Sequence, residues 1–242
     1  MILQSLVAYY TRRAASADDS RRLPSYGLEE KEIPFVIEID DEGQLVQLRD
    51  TRQPDGKRLR AKRFLVPQGE KKTSGVRANL LWDSAEYVVG LGRDRKGSAE
   101  LSPAQAFRQR IAELPDPAAI DPGIRAVMLA LDRADWSVLS ASPAWPEIQE
   151  TNPLMSFARL ADAGELVCQR PAVIEAALTP TAAEAEGWCL VEGRHMAIAR
   201  LHPVIKGVKD AQTSGANIVS FNARAFESYG KTDKQGENAP VS

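Results

Sequence analysis

Histidine and cysteine are scarce: His195, His202, Cys168 and Cys189 are the only ones among 242 residues. In chain order they read C-x20-C-x5-H-x6-H, with no close ligand pair of the kind a zinc site needs. The histidines stand seven apart around an expected strand, an odd separation that puts them on opposite faces. Two cysteines make no disulfide framework, which fits a reducing cytoplasm. No apolar run approaches the length of a membrane span. Arg12 and Arg13 follow the apolar start MILQSLVAYY instead of preceding it, so no secretory signal is read there. A cytoplasmic chain without a membrane partner is expected.

Other familiar chemistry is missing too. There is no Walker sequence, and Gly90-Leu91-Gly92 lacks the third glycine and the following helix of a dinucleotide loop. No G-x-S-x-G elbow occurs. The acidic turn Asp40-Asp41-Glu42-Gly43 lacks the alternating oxygen ligands and closing glutamate of a calcium loop. Carboxylates are plentiful but scattered. The expectation is therefore a protein that is not an enzyme, with no catalytic residue, metal or cofactor.

What is present is a globular composition, 43% hydrophobic and 26% charged, long enough for one large domain or two small ones. The net charge is only −2, yet it is segregated. Between Arg49 and Arg77 there are ten basic residues against three acidic ones, a local +7 that leaves −9 for the rest. Such a strip can steer a polyanion, although an unremarkable solvated loop would look the same.

Taken in order, Ile2, Leu3, Leu6, Val7 and Tyr10 share one side of a helix closed by Arg12 and Arg13, read as a core helix. Residues 14–26 read as a loop. Ile33 to Asp50 carries hairpin signals, PFVIEID, the acidic turn and QLVQLRD. After an Asp55-Gly56 turn, basic residues lead into a short strand ending at Pro67, an edge suited to lie along a phosphate backbone. Asp83 to Gly92 reads as a short core segment stopped by glycine. Ser102-Pro103-Ala104-Gln105 opens a capped helix, and Asp121-Pro122 another with Ile124, Val127, Met128 and Leu131 at helical spacing. The proline-rich stretch from Pro115 to Pro153 predicts short helices in tight succession. A helix after Arg170-Pro171 ends at Thr179-Pro180, a second hairpin flanks Glu192 to His195, and a short helix covers Ala223 to Tyr229. The polar tail from Gly230 reads as a linker or a truncation point.

Two stretches share a design. In Lys71 to Trp82, KKTSGVRANLLW, a basic loop runs into an apolar anchor; Lys206 to Asn222, KGVKDAQTSGANIVSFN, does the same. Thr-Ser-Gly followed by Asn occurs in both, with Asn79 four residues after Gly75 and Asn217 two after Gly215. The spacing differs, so this is similar loop chemistry and not a repeat. Lysine, hydroxyl and asparagine side chains suit phosphates and base edges. Asn79 also fits as a turn or cap residue, and Trp82 and Phe221 as core anchors.

The segments IPFVIEID, RFLVPQGEKKTSGVRANLLWDSAEYVVG, RPAV, CLVEGRHMAIARLHPVIKGVKDAQTSGANIVSFNARAFESYGK and NAPVS together resemble the N-terminal portion of the large subunit of the type I-C CRISPR Cascade effector complex. The hairpin and helix signals lead to an expected α+β fold, antiparallel hairpins carrying the loops with helices packed on one side. The resemblance implies a DNA-recognition domain over residues 1–230, helical and proline-rich at about 100–160, and a linker at 231–242 toward an absent C-terminal helical domain. It also implies a non-enzymatic subunit that recognises the protospacer-adjacent motif in duplex DNA, helps open the strands and helps dock the helicase-nuclease, beside guide RNA and backbone subunits. Carried onto this sequence, Lys71, Lys72, Thr73, Ser74, Gly75, Arg77 and Asn79 form one DNA-binding loop. Lys206, Lys209, Gln212, Ser214 and Asn217 form the other, with Gln212 as candidate wedge or, equally, an ordinary surface loop residue. Lys72 suits a phosphate contact better than a base reader. Lys206 and His202 fit equally a neighbouring subunit or the guide RNA 5′ handle. A structural and recruitment subunit that does not read the motif is the alternative.

Overall fold

The computed structural model describes residues 2–16, 23–70, 75–91, 101–114, 121–162, 164–178, 186–199, 202, 205, 208–212, 215–219 and 240–241. Helix α1 (Ile2–Ala14) is followed by strands β1 (Leu28–Glu32), β2 (Phe35–Ile39), β3 (Leu45–Asp50), β4 (Gln53–Asp55), β5 (Arg58–Arg60), β6 (Arg63–Pro67) and β7 (Trp82–Ser84). Next come helices α2 (Ala85–Val88), α3 (Pro103–Ala112), α4 (Pro122–Arg133), α5 (Ser137–Ser140) and α6 (Trp145–Thr151). Strand β8 (Leu154–Arg159), 3₁₀ turns at Leu160–Asp162 and Val167–Gln169, helix α7 (Pro171–Leu178) and strands β9 (Glu186–Trp188) and β10 (His195–Ala197) complete the described elements. The fold is α+β, as expected. It divides into two compact units, Pro24–Thr179 and Met1–Leu23 with Pro180–Ser242.

The larger unit is built on a four-stranded sheet in the order β3-β2-β8-β7. All five residues of β2 are buried, because β3 and β8 cover both its edges and the core covers its faces. Its one charge, Glu38, accepts from Gln47 Nε2 at 2.5 Å and lies 3.1 Å from Arg49 Nε, so the buried carboxylate is paired. The hairpin from β2 to β3 forms where the alternation and the acidic turn predict it. Asp40 Oδ1 accepts from the amides of Glu42 and Gln44, and so serves the turn instead of a metal.

One pairing departs from the antiparallel expectation: β2 and β8 run parallel. The chain between them runs through β3 to β7 and helices α2 to α6, a long connection of the kind a parallel pair demands. Helix starts follow their sequence signals. Ser102 and Gln105 form the capping box of α3. Asp121 caps α4 by accepting from the amides of Gly123 and Ile124, with Pro122 in the first turn.

Beneath β8, Cys168 is fully buried with Sγ 4.0 Å from Ser156 Oγ, and burial pushes its thiol up to about 12. The native protein is therefore expected to leave Cys168 unmodified by a thiol alkylator at pH 8 and to expose it only in denaturant, which peptide mass spectrometry checks.

In the smaller unit, β9 and β10 form the second hairpin, with His195 opposite Trp188. The strands are shorter than the sequence suggests, and β10 ends before His202, so the two histidines do not share one strand. The amides of Leu190 and Ala199 donate to the carbonyls of Pro240 and Val241, which holds those two tail residues against the unit. Helix α1 forms as predicted but is not a core helix. None of its residues is buried, and Ile2 is 74% exposed. Helical periodicity creates an apolar stripe, but only a packed neighbour can bury it. The expected helix at 223–229 and the helix end at 179–180 lie outside the described residues. Among the described residues, no helix is long and apolar enough to cross a membrane.

Candidate nucleic-acid interface

The first basic loop leaves β6 and returns to β7, and its neck is held by four side-chain bonds. Gly69 N donates to Glu29 Oε1 at 2.8 Å, and Glu70 N to Asn79 Oδ1 at 2.9 Å. Asn79 N donates in turn to Asp83 Oδ2 at 2.9 Å, and Trp82 Nε1 donates to the Pro67 carbonyl at 2.9 Å. Leu80, Leu81 and Trp82 are buried and anchor the loop as expected, with Lys31 Nζ 5.6 Å from the Trp82 ring centre. Leu81 sits at φ +62, a left-handed conformation costly for a leucine, and Ser156 Oγ donates to its carbonyl at 2.8 Å. Desolvation, with the charges of Asp83 and Glu86, raises the Tyr87 hydroxyl above its ordinary value.

Among the proposed contact residues of this loop, Gly75 and Arg77 are exposed and Asn79 is buried at 6%. Gly75 adopts φ +71 with open space around its Cα, so glycine is required there by the turn and not by crowding. Arg77 NH1 lies 3.9 Å from Glu70 Oε2, and Arg110 Nε lies 3.7 Å from the other oxygen of the same carboxylate. Asn79 thus has the turn-closing geometry that was one of its two readings. Lys71, Lys72, Thr73 and Ser74 lie outside the described residues.

The second loop is closed by reciprocal backbone bonds between Ile205 and Ala216, 2.7 and 2.9 Å, and tightened by Gly215 N donating to the Gln212 carbonyl at 2.9 Å. Lys209, Gln212 and Asn217 are all exposed on it. Lys206, Ser214 and Phe221 lie outside the described residues. His202 is half-buried, its Nε2 has no hydrogen-bond partner, and desolvation lowers its pKa. The first loop belongs to the larger compact unit and the second to the smaller.

Pairing redistributes the basic strip. Arg52 binds Asp50 at 2.7 Å and also Glu147. Arg60 and Arg63 bind Glu32 at 3.0 and 3.4 Å, and Arg63 also faces Glu30 at 3.6 Å. Arg60 holds the Glu32 carboxyl below its usual range. The Glu30 and Glu32 that pair with Arg60 and Arg63 come from β1, the strand Leu-Glu-Glu-Lys-Glu, which lies outside the counted strip and pairs antiparallel with β6. Sequence counting missed them because β1 has no hydrophobic alternation to mark it as a strand. Lys57 and Arg58 pair with no described carboxylate, and Lys62 Nζ rests 5.1 Å from the Phe64 ring centre.

Among the described residues, no three His, Cys, Asp or Glu side chains are grouped to hold a metal ion. What the described parts of the two loops expose is the guanidinium of Arg77, the ammonium of Lys209 and the amides of Gln212 and Asn217, groups whose chemistry suits phosphates and base edges. Among curated proteins nothing matches the chain. Residues 6–242 match the family described as CRISPR-associated protein (Cas_Csd1). That match takes in both loops and both units, and the chain therefore belongs to the Cas_Csd1 family of CRISPR-associated proteins.

Proposed function

We propose that the chain is the non-catalytic large subunit of an RNA-guided type I-C surveillance complex. In this reading it recognises the protospacer-adjacent motif in duplex DNA, assists strand opening and helps dock the helicase-nuclease. Base pairing with the guide reads the target, and the protein reads the short motif and the backbone. The observation that carries the reading is the neck of the first loop. Asn79 and Trp82 tie its two ends to buried structure while Gly75 and Arg77 face solvent. A loop fixed at its base presents contact groups without losing much conformational freedom on binding.

The test is binding of the guide-loaded complex to duplexes carrying every variant of the adjacent motif, at two salt concentrations. Lys72→Ala is expected to weaken all duplexes alike and to reduce the salt dependence by about one phosphate contact. Asn79→Ala removes the acceptor for the Glu70 amide, so about 1–3 kcal/mol of stability goes with the loop geometry and motif preference collapses. Preference surviving intact in Asn79→Ala would move the reader to Gln212 and its neighbours. Metal-dependent nicking by the purified chain, abolished by one carboxylate substitution, would overturn the non-catalytic assignment.

A second reading has its own support. In the smaller unit Trp188, Leu190, Ile205 and Ile218 are each about half or more exposed, large apolar side chains of the kind that protein contacts cover. A structural and recruitment subunit, contacting the guide RNA 5′ handle and partner subunits, would keep target binding in loop variants and lose cleavage instead.

A further inference from the structure

Strands β4 and β5 form a sheet of their own, a ribbon of three residue pairs whose six residues are all exposed. Its base is fixed. Thr51 N donates to the Pro34 carbonyl at 2.9 Å, Thr51 Oγ1 to the Ile33 carbonyl at 2.5 Å, and Ile33 N to the Lys62 carbonyl at 3.2 Å. Arg52, just before the ribbon, lies 4.5 Å over the Phe35 ring and pairs with Asp50 and Glu147. Its tip is bare: Gly56 turns at φ +62 with nothing within 4 Å of where a Cβ would stand.

Between 53 and 63 there are five basic residues and one acidic. Ion pairs with Glu30, Glu32 and Asp55 engage Arg60 and Arg63 and leave Lys57 and Arg58, at the turn, in no ion pair with a described carboxylate, Asp55 opposite Arg58 being turned to Arg60. The turn itself needs neither side chain, because Gly56 supplies the positive φ of a two-residue hairpin loop.

The geometry points to this ribbon as a second, sequence-independent contact with duplex DNA, in which Lys57 and Arg58 neutralise backbone phosphates along the major groove. The inference rests on the duplex-binding reading above. A two-stranded ribbon fits the B-form major groove, about 12 Å wide, whereas the deep, narrow major groove of A-form RNA does not admit one. The ribbon projects about 10 Å, three residues at roughly 3.3 Å each, enough to reach past a phosphate ridge. Its cross-strand pairing puts Pro54 beside Leu59 on one face and Asp55 beside Arg58 on the other.

The experiment measures affinity of the full chain for unrelated DNA duplexes, for RNA duplex and for single-stranded RNA across a salt series. Lys57→Ala/Arg58→Ala is compared with the unaltered chain, and thermal unfolding of both is followed in parallel. The expected result is an unchanged melting temperature and a log–log salt slope shallower by about 1.8 on every DNA duplex, the loss of roughly two phosphate contacts. An unchanged slope on DNA, with the unaltered chain still binding, overturns the ribbon contact and leaves the loop reading standing. A slope change confined to RNA overturns the choice of DNA. If the unaltered chain shows no salt-dependent affinity for duplex DNA, the duplex-binding reading fails and the ribbon contact fails with it.

Discussion

Replacing Arg170 with alanine is expected to destabilise the larger unit by about 3–5 kcal/mol, the range for breaking a largely buried ion pair by removing one partner. Arg170 Nε lies 2.9 Å from Asp121 Oδ1, and NH1 lies 2.7 Å from Asp162 Oδ2. The carboxylates are 6% and 12% exposed, so water cannot replace the guanidinium cheaply. The ladder continues through Arg159 to Asp41, joining the β2–β3 turn to the N-cap of α4. Arg170→Lys is expected to recover only part of the loss, because one ammonium cannot span both carboxylates as the planar fork does. Urea denaturation of the three proteins checks this. A loss below 1 kcal/mol for alanine would mean that the pairs behave as exposed ones.

Gly43→Ala should cost nearly as much, about 2–4 kcal/mol, by combining overpacking with an unfavourable backbone conformation. Gly43 has φ +73, and an added Cβ would stand 2.7 Å from the Ala126 carbonyl oxygen and 2.7 Å from Ala130 N. Those are backbone atoms of α4 and cannot rotate aside. Gly56→Ala is the matched control, since Gly56 has φ +62 and open space. It is expected to lose only about 1 kcal/mol, the conformational part alone. Equal losses at the two positions would show that α4 shifts to make room and that its packing against the turn is loose.

These two positions differ in what the sequence offers. Gly43 is legible as a turn residue after three acidic residues, but nothing local announces that a helix more than eighty residues later lies against it. Arg170 reads only as the residue before a helix-opening proline; its partners come from a helix cap and from the 3₁₀ turn after β8. The central strand β8 escaped reading for a related reason. Buried at four consecutive positions, it lacks the polar alternation that marked β2 and β3 as a hairpin, and it follows a proline-rich stretch.

The candidate site was legible to a similar degree. The basic loop, its glycine and its apolar anchor are contiguous, so sequence located them, and the burial of Leu80 to Trp82 followed from their chemistry. Glu29 and Pro67 at the neck were not legible, because they meet the loop only through the pairing of β1 with β6. The exposed tip at Lys57 and Arg58 had a signal, an Asp-Gly turn followed by two basic residues, but charge counting gave it no more weight than the arginines beside it.

By itself the sequence determined the local structure: turns at Asp40 to Gly43 and at Gly56, caps at Ser102 and Asp121, and family membership carried by contiguous motifs. These depend on neighbours in the chain, where steric and hydrogen-bonding preferences act over a few residues. Only the tertiary structure decided that β2 and β8 run parallel, that α1 buries none of its apolar stripe, and which of the described cations meet a carboxylate. Those outcomes depend on groups brought together from distant positions, and a carboxylate neutralises the guanidinium it meets in space, wherever it stands in the chain.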